Sequence, residues 1–203
     1  IYFASHFDTV KEIAESGVIE PLIQLLNEGT PEQQESAVMA LHNLTEDDEI
    51  AIDVADQGIK KLFELLKDGS TVETKKHAGA VLLNISCDDA GLKKIAKSGF
   101  IESLIQLLKV GTSEQKVQAV KILGNVACDD TGRKKIAESG VIEPLIQLLK
   151  EGTSEQKIEV YKTLIYALPD DRFNRIISKG ENIVDLGKLA LGSHLKGFIN
   201  LLK

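Results

Sequence analysis

The chain has 203 residues, with 24 Lys+Arg against 31 Asp+Glu and a net charge of −7. That balance excludes the basic footprint of a general nucleic-acid binder, and no apolar run reaches the length of a membrane span. Hydrophobic residues make up 43% but aromatics only 4%, with no Trp, so small and branched aliphatic side chains must fill the interior.

Gly17, Gly58, Gly99 and Gly140 are spaced 41 residues apart and open related phrases, such as Gly17-Val-Ile-Glu-Pro-Leu-Ile-Gln-Leu-Leu26. A fixed period of this length means stacked copies of one helical unit, each covering its neighbour's apolar face. Residues 1–6 fall in register with 42–47, so the chain is expected to open inside a preceding repeat. Whole copies follow at 7–47, 48–88, 89–129 and 130–170. Residues 171–203 read as a degenerate terminal cap or a truncated repeat, with Gly187, Gly192 and Gly197 interrupting the last helix. Ile1 is not an initiator residue and no signal peptide precedes the first copy, which leaves room for a segment upstream.

Each copy reads as a short helix followed by two longer ones. An Asp pair precedes the first helix: Asp47-Asp48, Asp88-Asp89, Asp129-Asp130 and Asp170-Asp171. Asp accepts hydrogen bonds from the free N–H groups of a helix start, so the pairs are caps rather than catalytic dyads. The first helix is expected to end at glycine, as at Ser98-Gly99, through the left-handed cap conformation. The second helix carries a broad apolar stripe, such as Ile101, Leu104, Ile105, Leu107 and Leu108. Pro21 and Pro144 fall in its first turn, where a missing N–H costs nothing.

The third helix begins at Thr30, Thr71, Thr112 or Thr153. Gln33, Gln115 and Gln156 stand three residues on and complete capping boxes in three copies; Thr74 replaces Gln in the other. Glu32, Glu73, Glu114 and Glu155 complement the helix dipole. Cys87 and Cys128 are one position in successive copies, expected to be small buried side chains. The setting they suggest is the reducing cell interior, cytoplasmic and possibly also nuclear.

Helical spacing places one residue set on a shared polar face of each third helix. The sets are Glu32, Ser36, Met39, Asn43; Glu73, His77, Ala80, Asn84; Glu114, Gln118, Lys121, Asn125; and Glu155, Glu159, Lys162, Tyr166. An amide donates and accepts at once, so a ladder of Asn is able to clamp an extended peptide backbone, with the charged neighbours supplying selectivity. An Asn near a helix end serves equally to satisfy a local carbonyl, and the pattern alone leaves both roles open. Lys93-Lys94 and Arg133-Lys134-Lys135 on first helices read as a solvated outer face. No phosphate-cradling loop, nucleophile–base signature or zinc spacing is present, so neither catalysis nor a cofactor is expected.

The unit Gly-x-Ile-x-Pro-Leu-Ile-x-Leu-Leu, then Gly-Thr-x-Glu, then Ala-x-x-x-Leu-x-Asn resembles the armadillo repeat over residues 7–190. HEAT repeats lack the glycine-led phrase. The nearest flavour is that of plant U-box ubiquitin ligases and vacuole-associated armadillo proteins, as in Ala78-Gly-Ala-Val-Leu-Leu-Asn-Ile-Ser86. The resemblance implies an all-α, right-handed superhelix with three helices per 41-residue repeat, its groove lined by third helices. It implies an extended segment of a protein partner held by Asn43, Asn84 and Asn125, with Tyr166 breaking the series. Importin-α, a member of the family, carries Trp four residues before each Asn. Met39, Ala80, Lys121 and Lys162 stand there instead, which disfavours a nuclear-import adaptor. The function implied is an interaction scaffold; the alternative is the substrate-recruiting part of a larger ligase.

Overall fold

The computed structural model describes residues 11–97 and 99–168. Every regular element among them is helical. The chain divides into two compact units, Ile1–Ser103 and Leu104–Lys203. Unit 1 holds α1 (Ile19–Glu28), α2 (Pro31–Leu44), α3 (Asp48–Asp68), α4 (Val72–Ile85) and α5 (Asp89–Lys97); the boundary falls within α6 (Phe100–Val110). Unit 2 continues through α7 (Ser113–Cys128), α8 (Asp130–Glu138), α9 (Ile142–Glu151) and α10 (Ser154–Ala167). The expected preceding and terminal repeats, 1–6 and 171–203, lie outside the described residues, as does the Asp170-Asp171 cap.

Local chemistry sets the helix starts. Asp47 accepts from the N–H groups of Glu49 and Ile50 at 3.0 and 3.2 Å. Asp88 does the same for Ala90 and Gly91, and Asp129 for Thr131 and Gly132. Thr30, Thr112 and Thr153 form full capping boxes with Gln33, Gln115 and Gln156. Thr71 caps Thr74 N without the return bond, because a threonine side chain is too short to reach back.

The second copy departs from the expected trio. Its first two helices run together as α3, 21 residues long, straight through Gly58. Gly17, Gly99 and Gly140 adopt the left-handed conformation, with φ of 80°, 73° and 75°, while Gly58 does not. In the first and fourth copies a serine precedes the glycine, and its hydroxyl donates back to the carbonyl three residues earlier (Ser16 to Ile13, Ser139 to Ile136), tightening the last turn. Gln57 stands in that place before Gly58 and donates instead to Asp53, one turn back on a continuing helix. Gly58 makes room for a neighbour: an added Cβ would lie 2.4 Å from Ile23 Cδ1, so the end of that side chain would have to shift.

Within unit 1, α4 packs on α2 and α3, and α1 packs on α2 and α3. Leu26, Leu41, Leu62, Leu66, Leu82 and Ile85 are fully buried there. Within unit 2, α10 packs on α7, α8 and α9 around Ile122, Leu123, Ile136, Leu145 and Leu164. The third helices thus lie side by side inside each unit (α2 with α4, α7 with α10).

Candidate functional site

In unit 1 the face of α2 is open. Met39 is 47% exposed, and Ser36 and Asn43 are exposed. Ser36 donates to the carbonyl of Glu32, while Asn43 makes no side-chain hydrogen bond to any described residue. Asn43 borders a hollow of about 560 Å³ lined also by Ile13, Val18, Leu22, Ala40, Leu44 and Glu46. Asn84 on α4 is half-buried, and its Nδ2 donates to Thr45 Oγ1 at 3.2 Å. One amide of the ladder is therefore free and the next ties two repeats together, leaving its own carbonyl oxygen as an acceptor.

His77 also reaches back to the preceding repeat. Its Nδ1 lies 3.0 Å from Nδ1 of His42, with ring centroids 5.2 Å apart. Glu73 Oε2 stands 3.7 Å from His77 Nε2 and takes Lys76 Nζ at 3.0 Å. Burial, and then the neighbouring His77, hold the His42 pKa below the ordinary imidazole value. Glu35 accepts from Thr71 Oγ1, a further link between α2 and the start of α4.

In unit 2 the same register carries ion pairs. Lys121 Nζ is 3.7 Å from Glu155 and Lys162 Nζ is 2.9 Å from Glu159. Tyr166 is 52% exposed. Gln118 and Asn125 are half-buried and engaged. Thr163 is buried, and its single O–H is shared between Val120 O at 3.1 Å and Glu159 O at 3.0 Å.

Residues 7–46 match the profile of the Armadillo/beta-catenin-like repeat. The fold is that of armadillo repeats. An engineered protein of known structure is similar over 92% of this chain and 77% of its own, at 29% identity and a TM-score of 0.75. A designed armadillo repeat protein in complex with the peptide (KR)4 matches 96% of this chain and 82% of its own, at 22% identity and a TM-score of 0.74. Computationally designed armadillo repeat proteins for modular peptide recognition match 96% and 78%, at 23% identity and a TM-score of 0.71. The last two likenesses bear on the fold alone: all-α, with the armadillo three-helix repeat. No curated protein matches the chain.

One expectation about the surface is corrected. Cys87 and Cys128 are exposed thiols rather than buried ones. Each follows the last inward residue of a third helix, Ser86 or Ala127, and turns outward, its Sγ 3.4 Å from the carbonyl four residues back. Partial burial still pushes the Cys128 thiol pKa up, with Arg133 acting the other way. Of the basic runs, Lys93 and Lys134 are exposed, Lys94 is half-buried and pairs with Asp56, and Arg133 pairs with Asp130 at 3.2 Å. Among the described residues no helix is long and apolar enough to cross a membrane, and no group of three or more His, Cys, Asp or Glu is placed to hold a metal ion.

Sequence reasoning missed His42 and Thr45, the partners of His77 and Asn84. The signal was available as a spacing: residues touching across neighbouring repeats are 35 apart for the imidazoles and 39 apart for Asn84 and Thr45, a little under one period.

Proposed function

We propose that this chain is a protein-interaction scaffold holding an extended segment of a partner protein against its third helices. The polar faces of α2 and α4 in unit 1, and of α7 and α10 in unit 2, are the receiving surfaces. Asn43 carries the reading: an exposed amide, with no described side-chain partner, on the face where the spacing places the ladder. It offers a donor and an acceptor to a peptide main chain. Asn84 contributes through Oδ1, since its N–H is held by Thr45. Ser36, Met39 and His77 flank these amides. Gln118, Lys121, Asn125, Glu159, Lys162 and Tyr166 form the corresponding surface of unit 2. The peptide-bound designed armadillo protein supports the reading by its fold. No catalytic step is involved, and no cofactor is required.

The test is selection of a displayed library of extended peptides against the whole chain. Selected peptides are expected to lose about 10-fold or more in affinity to Asn43→Ala/Asn84→Ala, about one to two lost hydrogen bonds, with the fold retained by circular dichroism. Undiminished binding to that variant and to Asn84→Ala/Asn125→Ala would remove the ladder from the account.

A further inference from the structure

His42 lies on the last turn of α2 and His77 in the middle of α4, and together they span two successive repeats. Their Nδ1 atoms are 3.0 Å apart, and both rings are half-buried. A contact of that length needs one Nδ1–H to donate and one bare Nδ1 to accept, so the accepting ring is neutral. A proton on that bare nitrogen destroys the acceptor. Among the described residues, Glu73, Lys76 and Glu46 are the charged groups that act on the pair. Glu73 faces His77 but is shared with Lys76; Glu46 and Lys76 act on His42 from further off and oppose each other. Among the described residues Glu46 is the carboxylate that favours a charged His42, and Lys76 works against it.

We propose that His42 and His77 form a proton-sensitive latch between the first two repeats, closed by one N–H···N bridge and opened when the accepting Nδ1 takes up a proton. Opening loosens the surface that carries Met39, Asn43 and Asn84, so partner capture weakens on acidification. This consequence rests on the scaffold reading above; the latch itself does not. The Asn84–Thr45 bond beside it cannot titrate, so α2 and α4 stay tethered while the imidazoles part.

The direction follows from linkage. The folded state holds His42 below its ordinary pKa, by burial first and by His77 second. The unfolded chain then binds more protons from about pH 6.5 downward, and stability falls as pH falls through that window. Each tenfold by which folding weakens the proton affinity of His42 costs about tenfold in the folding equilibrium once the ring is charged in both states. Above the window the latch contributes in full.

Long-range proton–nitrogen NMR of the imidazoles in the whole chain tests this, with His42→Gln and His77→Gln assigning the signals. At about pH 7.5 one of the two rings is expected as the Nδ1–H tautomer, and the His42 signal should titrate below about 6.5. Amide exchange in α2 and α4, corrected for intrinsic rates, should rise several-fold between about pH 7.5 and 5.5, while α7 and α10 change little and His42→Gln flattens the response. Nε2–H tautomers on both rings, a His42 signal that does not titrate below about 6.5, or an unchanged response in His42→Gln, would overturn the latch. For selected peptides, acid weakening abolished by His42→Gln extends it to capture. Failure of peptide selection refutes the scaffold and leaves the NMR result standing.

Discussion

The third helices of unit 1 share a contact that a proton is able to switch, His42 with His77, whereas those of unit 2 share, at the corresponding level, a threonine hydroxyl that it is not. The registers correspond residue by residue. Where unit 1 has His42 and His77, unit 2 has Gly124 and Glu159; where unit 1 has Val81, unit 2 has Thr163. Gly124 leaves room for the Thr163 side chain: a Cβ there would lie 2.9 Å from Thr163 Oγ1. The hydroxyl then donates to backbone carbonyls inside the packed region. Two solutions to one stacking problem coexist on one scaffold, and they differ in what disturbs them: acidity for the imidazoles, loss of one oxygen for the threonine.

Such a contrast has meaning only if both units have equally firm cores. Leu82→Ala and Leu164→Ala, each at a fully buried and equivalent position, should each cost about 2–5 kcal/mol in urea unfolding. A loss under about 1 kcal/mol at either would mean that one unit is loosely packed and that its third-helix contacts matter less. The glycines give the next largest contrast. Gly140→Ala forces a left-handed residue and should cost about 1–2 kcal/mol. Gly58→Ala sits in a continuous helix, where alanine gains up to about 1 kcal/mol against displacing the end of Ile23, so its melting temperature should fall less. The reverse order would assign the turn-like role to the second copy after all.

Thr163→Val removes a buried donor and should cost about 0.5–1.5 kcal/mol. That cost should be the same at about pH 7.5 and pH 5.5, whereas the cost of His42→Gln shrinks on acidification; a pH-dependent Thr163→Val penalty would erase the distinction between the units. The smallest effect belongs to the ion pair of unit 2. Lys162 and Glu159 pair at a site partly open to solvent, so Lys162→Met should change stability by less than about 1 kcal/mol. The difference should disappear in about 1 M salt.

The caps are legible in the sequence because they are local. A threonine and a glutamine three residues apart dictate their own bond whatever lies beyond them. The repeat period likewise yields the order of helices and the inward positions. Gly58 reads as a turn because a glycine that makes a turn and one that makes room share a letter; the distinguishing sign is Gln57 in place of serine. The cysteines read as buried because their exposure depends on which way the chain leaves the third helix. The ladder is legible as a helix face, but its fastenings are not. Asn84 to Thr45 and His42 to His77 are set by how two helices cross, a quantity that no single helix encodes.

The unbroken α3 has a mechanical meaning. A rod of 21 residues is about 32 Å long and carries backbone hydrogen bonds throughout. The neighbouring copies bend at glycine elbows, at Gly17 and Gly99, where torsion is absorbed by one residue. Under stretching, or in the cleft of a protease, compliance should gather at those elbows. The second copy then serves unit 1 as a strut, keeping its span while the joints on either side yield.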